Sequence, residues 1–238
     1  MQTSLDLKKY GFALHTSSSQ LGFALSNFVG ESRYQAWELG RDLSTHLHQY
    51  LIDFLAPQTW VDLAFIAVAK GPGSFTSTRI GLVTARTLAQ QLDIPLYAIS
   101  ALAAVAWDRY QESEIKDSLE LIQNPNFNFQ NRVIALQMPA QRGQLFVAIY
   151  QLSLSGAGLT QVFPETVMSP QEWQQTLERW QNPYQLIDIP AGVGLGESVS
   201  SLLELAYLDW QQGKRPHWSE ALPFYGQHPV ETNSEGRR

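Results

Sequence analysis

The sequence predicts an α/β protein of two related lobes, and three observations carry that prediction. Short apolar runs of strand character alternate with longer stretches whose apolar residues recur at helical spacing. The order strand, turn, strand, strand, helix, strand, glycine turn, helix occurs twice along the 238 residues, as a repeat of pattern rather than of sequence. A polar, Asn-rich stretch around "NPNFNF" separates the two copies. Antiparallel strands that open onto parallel crossovers then give an N-terminal lobe at 1–109, a linker or surface excursion at 110–131, and a C-terminal lobe with its tail at 132–238.

In the first copy, Tyr10–Ser26 reads as a hairpin, two runs containing Gly-Phe-Ala-Leu around the polar turn Thr16–Gln20. Ser32–Glu38 adds a third strand. Leu43–Leu55 is a helix, with Leu43, Leu47, Tyr50, Leu51, Phe54 and Leu55 at its spacing and Pro57 as its stop. Leu63–Ala69, "LAFIAVA", is continuously apolar, as in a strand covered on both faces. A glycine corner follows, and Ser77–Gln91 then sets Ile80, Val83, Thr84, Thr87 and Leu88 along one helical face. Pro95–Ile99 is a strand, and Ser100 caps a helix expected to end near Asp108.

The second copy opens with a strand at Arg132–Met138, a turn at Pro139–Gly143 and a strand at Gln144–Leu152. A third strand at Gln161–Val167 leads to a helix at Pro170–Trp180, whose start is marked by Ser169, Pro170 and Glu172 as a capping box. Gln185–Ile189 is a further strand. "GVGLGE", Gly192–Glu197, turns into a helix with Val199, Leu202, Leu203, Ala206 and Trp210 on one face.

Composition excludes several kinds of chemistry. Cysteine is absent, which removes thiolate catalysis, a disulfide framework and Cys-ligated zinc. A formal charge of −6 argues against broad nucleic-acid binding, which needs a positive surface to displace counterions. No run approaches the ~20 apolar residues of a membrane span, and no signal peptide is visible, so the expected compartment is the cytoplasm. His46 and His48 are two apart on a helix and face different ways, so they do not chelate one ion; His217 and His228 lie in a polar tail. No metal site is expected.

The chemistry turns on the corner "AKGPGSFTSTRIG", Ala69–Gly81. A P-loop places its lysine inside the loop, whereas Lys70 precedes Gly71 and none follows at the helix entry. What remains is a strand–turn–helix corner whose N–H groups could hold an anion, or a tight turn that sets a helix in place. Both readings stand at this point. Ser74 follows a glycine, but no Gly-x-Ser-x-Gly elbow occurs, and peptidase chemistry is not expected.

Gly71–Ala106, "GPGSFTSTRIGLVTARTLAQQLDIPLYAISALAAVA", resembles the TsaB (YeaZ) family, whose members carry Gly-Pro-Gly-Ser-Phe-Thr-Gly-x-Arg-Ile-Gly here. Ser77 replaces the last glycine before the arginine. "LIDFL" at 51–55, "AQRGQLFVAIY" at 140–150 and "ALPFYGQHPVE" at 221–231 extend the resemblance from Tyr10 to about Glu231. It implies the actin-like ATPase fold. It also implies a non-catalytic role in making N6-threonylcarbamoyladenosine at position 37 of tRNA, as partner of a TsaD catalytic subunit and a TsaE ATPase. Transfer RNA would be met only through that complex, and a homodimer is a further expectation.

The family pattern in the first hairpin turn is Asp-Thr-Ser, where this chain has His15-Thr16-Ser17; in the second it is Asp-Ala-Arg, where this chain has Pro139-Ala140-Gln141. Gln144 stands where a glutamate usually follows. Active members of the wider fold use the two turn carboxylates to hold metal and water, so hydrolysis by this chain is not expected. No cofactor is assigned, and weak ATP or ADP binding at the two glycine turns stays open, with a degenerate ATPase or kinase as the alternative function. The motif residues Gly71, Pro72, Gly73, Ser74, Phe75, Thr76 and Arg79 form the candidate turn. The helix behind it, with the helix at 43–55, is the expected partner surface, through Leu47, Leu51 and the small-residue stripe Gly81, Ala85 and Ala89. The alternative is that this stripe packs inside its own lobe.

Overall fold

The computed structural model describes residues 5–121, 133–153, 158–190 and 193–226. Its first sheet holds β1 (Tyr10–His15), β2 (Gln20–Ser26), β3 (Ser32–Glu38), β4 (Leu63–Ala69) and β5 (Leu96–Ile99) in the order β3-β2-β1-β4-β5. β1, β2 and β3 pair antiparallel, and β4 and β5 join β1 in parallel. The second sheet repeats that plan with β6 (Val133–Pro139), β7 (Leu145–Leu152), β8 (Leu159–Met168) and β9 (Tyr184–Asp188), in the order β8-β7-β6-β9. Here too the central strand carries an antiparallel hairpin on one side and a parallel strand on the other. Two copies of one α/β pattern are what the expected actin-like ATPase fold requires. Both central strands are buried on both faces, which is why "YGFALH" and "VIALQM" read as near-continuous apolar runs.

Among the described residues five helices cover the sheets: α1 (Leu43–Leu55), α2 (Phe75–Leu92), α3 (Ala101–Leu121), α4 (Pro170–Glu178) and α5 (Val199–Gln211). α1 and α2 pack on the outer face of the first sheet, around Phe12, Leu14, Phe23, Leu47 and Ala85. α4 closes the outer face of the second with Trp173 and Leu177. The two remaining helices cross over. α3, which follows the first sheet in sequence, packs on the second through Leu102, Ala106 and Tyr110 against Ile134 and Ala148. α5, which follows the second sheet, packs on the first through Val199, Leu202 and Ala206 against Ala13 and Ala67. α3 and α5 meet between the sheets, where Trp107 donates to Glu204 at 2.8 Å and Ser201 to Asp108 at 3.3 Å.

That crossing corrects the expected division at 109/110. α3 runs on to Leu121, beyond the expected end near Asp108, so 110–121 is helix rather than linker; 122–131 lie outside the described residues. The polarity of the stretch reads as a surface excursion, and in the part whose side chains are described Arg109 and Glu112 are exposed while Trp107 and Tyr110 are buried. After α5 the chain returns across the first lobe as an extended strap, 214–226. Pro216 accepts from the Leu96 amide on the open edge of β5 at 3.3 Å, and the Phe224 amide donates to Lys70 O at 2.7 Å.

Candidate functional site: the glycine corner and the groove behind it

The glycine corner holds the first hairpin turn in place. The Ser74 amide donates to the Ser17 carbonyl oxygen at 2.8 Å, and the Thr16 hydroxyl donates to Ser77 O at 2.8 Å. Gly73 has φ +155°, and a Cβ there would collide with Ser17 O. Ser74 caps α2, its hydroxyl accepting from the Ser77 amide at 3.4 Å and pairing with the Ser77 hydroxyl at 3.0 Å. Gly71 O accepts from the Ala101 amide at 2.8 Å, tying the corner to α3 as well. The Ser74 and Ser77 N–H groups of this helix start therefore already have partners in the chain itself. Of the two readings open from sequence, the geometry carries the helix-setting one.

Gly71 and Pro72 are buried, and Phe75 and Arg79 face the strap. The Arg79 guanidinium lies 4.2 Å from the Phe75 ring centroid and 5.3 Å from that of Tyr225, and its Nε donates to the Tyr225 hydroxyl at 2.6 Å. Tyr225 is the functional neighbour that sequence reasoning missed. Its signal, the aromatic pair in "PFYG", was visible only as part of the family resemblance, because 146 positions separate it from Arg79.

The two turn positions where the fold can carry carboxylates are neutral. His15 ends β1 fully buried; burial pushes its imidazole down to about 3, so it is uncharged at physiological pH. Its Nδ1 accepts from the Ser17 amide at 3.3 Å, and among the described residues its Nε2 has no partner. Pro139 ends β6 in the second turn, which Ala140 closes by donating to Gln144 O at 2.8 Å. A neutral imidazole and a proline supply none of the anionic oxygens that hold magnesium. In the second glycine turn, Gly192 lies outside the described residues; Gly196 donates to Gln20 Oε1 at 3.1 Å and so packs on the start of β2. Among the described residues no three His, Asp or Glu side chains gather to hold a metal, and no helix is long and apolar enough to cross a membrane. His217 caps a short turn at Trp218–Glu220, and His228 lies outside the described residues.

The expected partner residues are corrected by burial. Leu47, Ala85 and Ala89 are 0% exposed, Leu51 is 3%, and Gly81 is buried against Thr16. The small-residue stripe faces its own lobe, because only small side chains let α2 approach the hairpin turn this closely. Its opposite face is the one that looks outward. Between α1 and α2 runs an apolar groove of about 600 Å³, lined by Ile52, Trp60, Ile80, Val83 and Leu88, with His48 and Arg79 also contributing. Ile52 is 59% exposed and Val83 63%, and Val61 beside Trp60 is also exposed. This is the helical face that periodicity picked out, but it is not the core face.

Comparison with known proteins fits this geometry. A family model described as TsaD, tRNA N6-adenosine threonylcarbamoyltransferase, matches residues 51–119. The tRNA threonylcarbamoyladenosine biosynthesis protein TsaB of Bacillus subtilis is 34% identical over 138 residues, 58% of this chain and 50% of that one. The protein of the same name from Buchnera aphidicola of Schizaphis graminum is 40% identical over 60 residues, 24% of this chain and 29% of its own. The solved structure of YeaZ from Pseudomonas aeruginosa superposes with a TM-score of 0.68 at 23% identity, covering 91% of this chain and 99% of that one. These matches support the resemblance of this chain to the TsaB/YeaZ family. A second Pseudomonas structure, described as an uncharacterized protein with similarity to the peptidase YeaZ, superposes at 0.70 with 23% identity, covering 92% of this chain and all of that one.

The match spans half of the Bacillus TsaB and under a third of the Buchnera one. The YeaZ superpositions speak for the fold alone. Within the TsaB/YeaZ frame, the motif residues at 71–81 form the corner that binds the hairpin turn to α2. There the Ser74 hydroxyl is engaged with Ser77 as the cap of α2.

Proposed function

We propose that this chain is the non-catalytic subunit of an assembly that makes N6-threonylcarbamoyladenosine at adenosine 37 of tRNA, acting as scaffold and activator of a TsaD-like catalytic subunit together with a TsaE-like ATPase. The observation that carries this is the exposed apolar groove between α1 and α2, built on the helix that bears the family motif. An apolar face of this kind fits another helix better than it fits water. The same groove would seat a second copy of the chain in the free protein, so homodimer and heterodimer would compete for one surface. Neutral His15 and Pro139 support a role without chemistry of its own. In this reading transfer RNA is met through the complex, in agreement with the formal charge of −6, and the compartment is the cytoplasm.

The test is tRNA threonylcarbamoylation in a reconstituted system from the same source, with and without this chain. Modification that needs the chain, and is lost with Val83→Glu together with complex formation, is the expected result. Equal modification without it overturns the proposal. Nucleotide-dependent thermal stabilisation of the isolated chain, run in parallel, would instead support the degenerate-ATPase alternative.

A further inference from the structure

The two lobes enclose a second region that the docking role leaves unused. Between β5, β7, β8, α5 and the strap lies a cleft of about 800 Å³, and a neighbouring cavity of about 600 Å³ shares Lys70, Ala98, Ile99, Asp209 and Lys214 with it. Volumes of roughly 300–1,000 Å³ are those of small-molecule sites, and clefts between lobes are a common place for them.

The charges along the cleft are of two kinds. Asp209 and Lys214 neutralise one another, Oδ1 to Nζ 2.5 Å. Among the described residues Lys70 and Glu165 have no ionic partner. Lys70 sits just past the end of β4, half-buried, and its ammonium has no hydrogen bond or ion pair among the described residues. Glu165 projects from β8, half-buried, and accepts from the Tyr150 hydroxyl through Oε1, which leaves Oε2 open. Tyr150 is itself almost fully buried, with Gln161 donating to its oxygen at 3.4 Å; burial and the Glu165 charge push its phenol well up, so it remains a neutral donor to the carboxylate. Leu159, Leu205, Leu208 and Phe224 supply apolar wall in the same cleft.

A charge held half out of water is costly when nothing pairs with it. Here there is one of each sign, contributed by different lobes to a single cleft whose wall is part apolar and part polar. We propose that the cleft binds a small zwitterion with an apolar body, an α-amino acid or short peptide with free termini, its carboxylate at Lys70 and its ammonium at Glu165. An inorganic anion would pair with Lys70 and leave Glu165 unsatisfied. A nucleotide would bring several negative charges to a cleft that offers one unpaired cation among the described residues and is also lined by the Glu165 carboxylate. The inference stands apart from the tRNA-modification reading, since neither charge lines the α1–α2 groove.

The test is calorimetric titration of the purified full chain with L-leucine and with L-leucyl-L-leucine, which present the same two charges at two spacings. At least one should bind at about 1 mM or tighter. Leucinamide, which lacks the carboxylate, and N-acetyl-leucine, which lacks the ammonium, should each bind about tenfold more weakly than leucine if leucine is the binder. The matching amide and N-acetyl forms of the dipeptide serve if the dipeptide binds instead. Lys70→Met and Glu165→Gln should each weaken the zwitterion by about tenfold, and Glu165→Gln should leave the N-acetyl form unaffected. Absence of binding by both zwitterions at about 10 mM, or affinity indifferent to loss of either terminal charge, overturns the proposal. So does inorganic phosphate binding as tightly as the zwitterions. The terminal-group comparisons use the unaltered protein and remain decisive if either variant fails to fold.

Discussion

The Thr16 hydroxyl occupies the space that a side chain at position 81 would need, and from there it donates to the Ser77 carbonyl oxygen at 2.8 Å. One contact thus fixes how near α2 lies to the first hairpin turn. Gly81→Ala should destabilise the protein by about 1–3 kcal/mol, the usual cost of overpacking a closed contact. Thr16→Ala removes the obstructing atom, so the double variant should lose less than the sum of the two singles. A double-mutant cycle in urea reads that coupling directly, and strict additivity would mean that the two residues do not meet as described.

Val83 and Ala85 are two residues apart on α2 and should respond oppositely to a charge. Val83→Glu faces the groove and should leave stability within about 0.5 kcal/mol while abolishing partner binding. Ala85→Glu places an unpaired carboxylate in the core and should cost more than about 3 kcal/mol, enough to unfold much of the protein. Circular dichroism with thermal melting separates the two. A folded Ala85→Glu protein would contradict the assignment of faces.

Arg79 and Tyr225 fasten the strap to α2. Arg79→Ala removes both the hydrogen bond and the ring contact, and the expected loss is about 1 kcal/mol, because the site is exposed. Its sharper consequence is local. The Phe224 amide, which donates to Lys70 O, should exchange with solvent faster in the variant while the β1 amides keep their protection. Unchanged exchange at Phe224 would show that the strap is held by its other contacts.

His15 makes stability depend on pH. Its folded-state pKa, about 3, lies below the ordinary value of 6.5, so between those values the unfolded chain takes up a proton that the folded one refuses. Its contribution is fully present above pH ~6.5 and is lost as pH falls toward 3, at about 1.4 kcal/mol per pH unit. His15→Leu removes that proton. Between about pH 4 and 6 the variant's unfolding free energy should fall less steeply, by close to that slope, whatever its stability at neutral pH. Parallel slopes would mean that the imidazole is protonated in the folded protein.

The doubled strand–helix order was legible in the sequence because each copy's central strand is buried on both faces, and "YGFALH" and "VIALQM" leave little doubt of it. The start of α4 was legible from Ser169 and Glu172, whose reciprocal hydrogen bonds are local. The corner at 71–81 was legible as a turn before a helix, but not as a clamp on Ser17, 57 residues earlier. The faces of α2 were not legible at all. Ile80, Val83, Thr84, Thr87 and Leu88 make one apolar stripe and Gly81, Ala85 and Ala89 another, and helical periodicity gives no reason to bury the smaller.

The amino-acid sequence by itself determined most of the elements, their order, the family resemblance, and the neutrality of the two turn positions at His15 and Pro139, since all of these are local patterns or residue identities. The tertiary structure decided which sheet each helix serves, which face of α2 is left outside, and that Lys70 and Glu165 share one cleft. Those outcomes depend on shape at distances the chain pattern does not encode. Gly81 is buried because Thr16 stands where a larger residue would, and α3 and α5 exchange lobes because each finds its complementary apolar face on the other sheet.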